Sequence, residues 1–344
     1  MIMTNPMIYF FIFHIIASFH SSIPAANPVI LSDSQEKYHL GLHLELFEDK
    51  NKMYTIDDII SPAFSGMFIG NNKENPNFGY TDSAIWLRFH VINNSSGKDW
   101  LIMIEDSFLD RIQLFIPYMD QKSKKSGFLV KETGDIFPFS QREVIHQNFI
   151  FHLTIDPGDS RTFYLRITGE ESIQLPITMF SPRAFSIDDH KKSMLHGLYY
   201  GVMLALFLYN LLLFFSLRDR NYLYYVLYIA IYVLLQLSMN GLAFEYFWPN
   251  LPLLNKISIP VLAASLILIL SVFSRSFLIT KVNALIIDRL FLVMIVISGV
   301  ALILSLLLKY NLTLWISAAL GMTYIVLALI GGLVTWRKGY RPAK

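Results

Sequence analysis

Two side chains on one predicted strand are the best equipped in the sequence to hold a ligand. In the run Ile85-Trp86-Leu87-Arg88-Phe89-His90-Val91, Trp86 and Arg88 are two apart and share a face, with Leu87 and Phe89 on the other. An indole beside a guanidinium is suited to stacking on a sugar ring while binding its hydroxyls or a carboxylate. Together with Asp110, these residues form the candidate ligand-binding set. A competing reading weighs more. Buried tryptophan is usual in β-sandwiches, so Trp86 is expected to fill the sandwich core and Arg88 to pair with a nearby acid such as Asp110.

Other chemistries find little support. The nine histidines show no H-E-x-x-H or other metal-ligand spacing. His39 and His43, on one strand, would lie about 13 Å apart, too far to chelate one ion. No nucleophile elbow, phosphate loop or paired catalytic carboxylates occur, and Ser160 in Gly158-Asp159-Ser160-Arg161 reads as a turn residue. Cysteine is absent, which excludes disulfides, thiolate metal sites and a cysteine nucleophile. No basic face marks a nucleic-acid partner. The expectation is a binding protein rather than an enzyme, with no cofactor and no metal.

The elements that position these residues fall into three zones. Only 16% of the 344 residues are charged, against roughly 25% in soluble domains. Forty of the 54 charges lie in 27–192, fourteen in 193–344 and none in 1–26. Residues 1–26 hold a short apolar run over 7–19, too short to span a bilayer comfortably. They read as a secretory signal peptide cut near Ala25 or Ala26, with an uncleaved anchor as the alternative. Residues 27–190 read as an all-β sandwich. Its predicted strands cover Leu40–Leu46, Ile85–Val91, Trp100–Ile104, Arg111–Ile116, Phe149–Ile155, Thr162–Thr168 and Leu175–Phe180. A short helix follows Thr55, capped by Thr55 and Asp58.

Residues 191–336 hold five runs without Asp, Glu, Lys or Arg: Leu195–Leu217, Tyr222–Leu237, Ile257–Ser274, Leu290–Leu308 and Leu312–Trp336. Runs near 20 residues span the hydrocarbon core, and only helices satisfy their backbone there. Within them His196 lies at the outer interface as a group able to titrate there, while Asn210 and Gln236 are suited to gluing helices together. Pro260 interrupts the third run. Residues 337–344 form a short tail.

Several dispersed motifs resemble one family. His196-Gly197-Leu198-Tyr199-Tyr200-Gly201-Val202-Met203, Tyr209-Asn210 and Leu217-Arg218-Asp219-Arg220-Asn221-Tyr222-Leu223-Tyr224-Tyr225 are similar to the opening of the membrane region in bacterial seven-transmembrane receptors with diverse intracellular signalling modules (7TM-DISM). Asn240-Gly241-Leu242-Ala243 through Trp248-Pro249, and Lys338-Gly339-Tyr340-Arg341-Pro342-Ala343, resemble that family's loops after helices two and five. Phe78-Gly79-Tyr80-Thr81-Asp82-Ser83-Ala84-Ile85-Trp86-Leu87-Arg88-Phe89, Asn93 and Asp110-Arg111-Ile112-Gln113-Leu114-Phe115 resemble its extracellular type-2 domain. The resemblance covers nearly all of 38–344. It implies a jelly-roll-like sandwich, related in shape to carbohydrate-binding modules, ahead of the helices.

Family members continue through two more helices into a cytoplasmic output domain, whereas eight residues follow Trp336 here. The expectation is therefore a truncated receptor, or the receptor half of a split system, without an output of its own. On this reading the sandwich binds a small ligand, with carbohydrate as one candidate class, and couples to the helix bundle for signal transduction. The expected partners are the lipid bilayer, that ligand, and either a separate signalling subunit or further copies of the chain. Gly321, Gly331 and Gly332 are candidate helix-contact positions. The alternatives are a non-signalling membrane binding or scaffold protein and, last, a transporter.

Basic residues orient the chain in a cell (inner) membrane. With the sandwich outside, Arg218, Arg220, Arg275, Lys281, Arg289, Arg337, Lys338, Arg341 and Lys344 face the cytoplasm, while Lys191, Lys192, Lys256 and Lys309 face out. A reporter active only outside the cytoplasm should therefore work when fused after Trp248 and fail after Lys344. The opposite pattern would contradict both the orientation and the span count.

Overall fold

The computed structural model describes residues 26–119, 126–170 and 172–339. Apart from Ala26, the expected leader lies outside these residues. Among the described residues strands predominate up to Phe180, with one short helix, and helices from Pro182 onward.

The strands are β1 (Val29–Leu31), β2 (Lys37–His39), β3 (Glu45–Asp49), β4 (Ile69–Gly70), β5 (Asn77–Tyr80), β6 (Ala84–Asn93), β7 (Asp99–Ile104), β8 (Arg111–Met119), β9 (Ser126–Thr133), β10 (Phe149–Thr154), β11 (Ser160–Thr168), β12 (Ser172–Gln174) and β13 (Ile177–Phe180). The larger sheet runs β4-β3-β6-β11-β8-β9, with β1 parallel to the end of β6. A smaller sheet runs β10-β7-β13-β2, and β12 pairs with β5.

Alternation on each strand makes the sandwich. Ile85, Leu87, Phe89 and Val91 of β6, with Phe163, Leu165 and Ile167 of β11, point inward from the large sheet. They meet Trp100, Ile102 and Ile104 of β7, Phe149, Phe151 and Leu153 of β10, and Ile177 and Met179 of β13. Phe89 and Phe163 stack with centroids 5.5 Å apart. Asn93 closes the turn after β6 by donating to Gly97 O and Ile155 O.

The small sheet's other face is buried as well. Leu101, Met103, Ile150 and Phe180 pack there against Val144, Ala184 and Phe185. That explains why all four residues of β13 are buried.

Two expectations change. The leucine alternation over 40–46 is not one strand: Gly41–His43 form a 3-10 turn, burying Leu40 and Leu44 and exposing Leu42. A Cβ on Gly41 would lie 1.8 Å from Glu74 O, so the turn needs glycine there. His39 and His43 therefore do not share a strand. His39 meets Thr178, and His43 meets Asn27 O. The short helix does form, as α1 (Ile56–Ile59), with Thr55 N–H and Oγ1 both donating to Asp58.

The helical part contains α2 (Pro182–Leu217), α3 (Arg220–Met239), α4 (Leu242–Tyr246), α5 (Pro252–Phe277), α6 (Thr280–Asn283), α7 (Leu285–Leu304) and α8 (Tyr310–Arg337). Among the described residues five of these, α2, α3, α5, α7 and α8, are long and apolar enough to cross a membrane. At 1.5 Å per residue α2 is roughly 54 Å long, well beyond the roughly 30 Å hydrocarbon core. Its polar first turns therefore stand outside the membrane against the sandwich. Helix α5 is central, touching α3, α7 and α8, and it continues through Pro260 unbroken.

At the end of α5 away from the sandwich Asp288 accepts from Arg275 at 2.8 and 3.1 Å and from Thr280 at 2.8 Å, tying α7 to α5. Asn210 and Gln236 do not join helices. Asn210 donates to Leu206 O and Gln236 to the Tyr232 hydroxyl, each within its own helix. Gly331 lets α8 approach α7, since a Cβ there would lie 3.2 Å from Ile287. It serves contacts inside this bundle, facing Ile287, Phe291 and Leu278.

The inter-sheet core lies wholly between Val29 and Met179. The isolated segment 27–190 should therefore fold alone, with a mainly β circular dichroism spectrum that chelator and reductant leave unchanged. A helical or disordered spectrum would contradict this.

Candidate functional site

The even-numbered residues of β6 point away from the inter-sheet core, toward the outer face of the large sheet. Trp86 lies there, fully buried under Ile59, Phe64 and Phe68, and stacks on Phe115 at 5.4 Å. Its ring has no face open to a ligand. Nor does it fill the inter-sheet core: the covering segment around α1 builds a second, smaller core on the outside of the sheet.

Arg88 does not pair with Asp110. Its Nε donates to Glu45 at 2.6 Å, across the β3–β6 ladder, and its guanidinium lies over Phe68 at 4.4 Å. Asp110 sits far along the chain at the membrane end of the sandwich, 3.8 Å from Lys256 of α5. The three candidate residues thus do not converge on one site.

Two open clefts lie on the outer face. The larger, about 1030 Å³, is lined by Tyr118, Phe128, Tyr164, Asp57, Arg161 and Thr162 among others. Arg161 is held by Asp159, and Thr162 by the His90 ring at 2.9 Å. Burial raises the Tyr164 hydroxyl above its ordinary value, so that hydroxyl stays a hydrogen-bond donor at neutral pH. A groove of about 360 Å³ continues from Thr162 and Tyr164 to Arg88, Glu45 and His43. Aromatic rings flanked by charged and hydroxyl groups can both stack on a polar ligand and hydrogen-bond to it.

At the opposite boundary the sandwich is fastened to the helices. The chain passes from β13 through Ser181, whose hydroxyl caps α2 by accepting from Ala184 N at 3.1 Å. Phe185 of α2 packs on Phe180, Asp189 meets His146 at 3.0 Å, Asp188 meets Lys37 at 3.0 Å, and Lys192 meets Glu105.

A second seam joins the sandwich to the segment between α3 and α5. Phe139 N donates to Pro249 O at 2.8 Å, and the Phe139 and Phe244 rings meet edge to face at 5.5 Å. Arg142, 6% exposed, lies over Phe139 and Phe149 at 4.3 and 4.4 Å, with Phe244 at 5.8 Å. It donates to His146 O and Gln147 O. Burial pushes its guanidinium down to about 10, which leaves it charged at neutral pH. Gly241, at φ 73°, brings the α4 loop so close that a Cβ would lie 2.7 Å from Ser107 Oγ.

Two family models fit this division. The 7TMR-DISM extracellular 2 model matches residues 41–181, and the 7TM diverse intracellular signalling model matches 192–344. The chain belongs to the 7TMR-DISM family. Comparison with curated proteins gives no match. The first 7TMR-DISM match begins after β1 and β2, although β1 pairs with β6 and β2 with β13. The boundary between the two matches falls on the exposed turns of α2 that carry the anchoring side chains.

Reasoning from sequence missed the 7TMR-DISM seam residues Phe139, Arg142 and Phe244. One signal was present: Phe137-Pro138-Phe139 is strongly aromatic for a connection between strands. Trp86→Ala should destabilise the isolated domain by about 3–5 kcal/mol, as truncations of fully buried large aromatics do. Equilibrium urea unfolding measures this, and a loss below about 1 kcal/mol would contradict full burial.

Proposed function

We propose that this 7TMR-DISM protein is a receptor whose extracytoplasmic sandwich takes a small polar ligand, a carbohydrate by its chemistry, in the cleft on the large sheet. The observation that carries this reading is the double attachment of the sandwich, to α2 through Ser181 and to the α3–α5 segment through Arg142. A change in strand geometry at the cleft crosses one packed core to β13 and β7, which hold α2. Packed cores pass such shifts on because they resist continuous deformation. The ligand moves the bundle only by the difference between its affinities for two arrangements.

The cleft supports the ligand class. Tyr118, Phe128 and Tyr164 offer ring faces, and Asp57, Arg161 and Thr162 offer the polar partners that sugar hydroxyls need. On this account Arg88 contributes from the adjoining groove, and Trp86 packs in the small outer core beside it. The protein resides in the inner membrane with its C-terminus in the cytoplasm, and hands its signal to a separate signalling subunit or to another copy through helix contacts.

Calorimetric titration of the full chain in lipid nanodiscs with a panel of mono- and oligosaccharides tests the reading. At least one sugar should bind, and Tyr118→Ala and Arg161→Ala should each weaken it about tenfold or more, near 1.4 kcal/mol. Absence of binding across the panel, or undiminished binding by both variants, would refute the assignment.

A further inference from the structure

One carboxyl group at the seam has no electrostatic explanation in its charged form. Asp135 follows Gly134, whose φ of 158° and close approach to Asp110 O leave no room for a Cβ. Its backbone N–H donates to Leu109 O at 3.0 Å, which pins it beside the 106–110 loop. The residue is 3% exposed, and neither carboxylate oxygen has a hydrogen-bond partner.

The cations nearby are engaged elsewhere. Arg142 donates through Nη1 to two carbonyls and lies between aromatic rings, and its buried Nε makes no hydrogen bond to Asp135 or to any other group. Lys256, on α5, is 2.9 Å from Glu170 and 3.8 Å from Asp110. Asp110 in turn accepts from Glu170 N at 2.9 Å. Counting every element packed here, Asp106, Asp110, Asp135, Glu170 and Glu245 face Arg142 and Lys256, with Lys52 and Lys309 further out. The acids are in excess. Among the described residues no three acidic or histidine side chains converge as metal ligands do. The ligand this arrangement fits is a proton.

We propose that Asp135 is a proton-binding site that keeps the sandwich docked on the α3–α5 segment, so that the receptor responds to the pH outside the membrane. Burying a charged, unpaired carboxylate costs several kcal/mol, and such a group protonates instead. With its proton, Asp135 fits the seam as a neutral group. Without it, a buried negative charge beside Asp110 favours any arrangement that lets water in.

The direction of the effect follows from the same burial. Burial, reinforced by Asp110 and opposed by Lys256 and Arg142, pushes Asp135 up to about 8. In an open, solvated seam the group returns toward the ordinary carboxylate value of about 4. The docked state therefore holds a proton that the open state has released throughout that window. Docking is strongest at low pH, weakens as pH rises, and has lost the whole contribution above about 8. Burial pushes Asp106 up to about 6, so it acts in the same direction at lower pH.

The natural chain has no cysteine, so spin labels can be placed uniquely. Ile145→Cys on the sandwich and Tyr246→Cys on α4 are 64% and 70% exposed in the parent residues. Pulsed electron–electron resonance on the doubly labelled full chain in nanodiscs, without added sugar, reads docking independently of the cleft. A single narrow distance is expected at about pH 6, and a second, longer population that grows as the pH is raised to about 9.5. Asp135→Asn should keep the narrow distance at both pH values. An unchanged distribution in the labelled parent between these pH values, opening on acidification instead, or opening of the Asn variant at high pH would overturn the proposal. The direction of the parent's response to pH decides the matter even if the Asn variant does not fold.

Discussion

The organisation of the whole molecule depends on Arg142 being buried at the membrane end of the sandwich. Its guanidinium is one of the few charges taken almost wholly out of water, and it is held there by two carbonyls and the faces of Phe139 and Phe149. Because Nη1 is satisfied by two sandwich carbonyls, Phe244 of the α4 loop can close over the guanidinium, leaving Nε buried without a hydrogen-bond partner. Phe139 then bonds to Pro249, and the sandwich becomes attached to the segment that joins α3 to the central helix α5. Arg142 is thus a positioning residue between the two halves.

The two attachments divide the work. Helix α2 grows directly from β13 and is held by Phe185, Asp188, Asp189 and Lys192, so the first span follows the small sheet. The α4 loop follows the connection that runs from β9 to β10, and the start of α5 meets the β7–β8 connection through Asp110. The outer face of the large sheet, with its cleft, is separated from both by one layer of packed side chains. A ligand there and a proton at Asp135 would therefore act on the same junction from different sides.

The membrane helices were legible because lipid leaves the backbone no alternative, and their apolar runs survive any detail of packing. Strands with strict alternation were equally readable: β6, β7, β8, β10 and β11 lie where the pattern put them. The 40–46 segment misled because leucines at 40 and 44 bury together on a turn, which mimics part of a strand's period. Strand β9 was missed, since at a sheet edge half of Ser126–Thr133 stays exposed and the strand shows no clean alternation. For the site, the shared face of Trp86 and Arg88 was readable, but their neighbours were not. Phe64, Phe68 and Glu45 arrive from distant segments, and Asp110 meets Lys256, which sits on a membrane helix. Long-range pairing of this kind leaves no local trace.

Hydrogen–deuterium exchange on the full chain in nanodiscs, comparing the parent with Arg142→Ala, tests the central claim most directly. The Phe139 amide is the natural reporter, because its acceptor lies across the seam. The account predicts that Phe139 and the 242–249 peptide exchange about tenfold faster or more in the variant, as a locally opened unit does. Amides within β6 and β11 should keep their protection. Unchanged exchange at Phe139 and 242–249, with the arginine gone, would contradict the claim that this one buried charge joins the sandwich to the membrane helices.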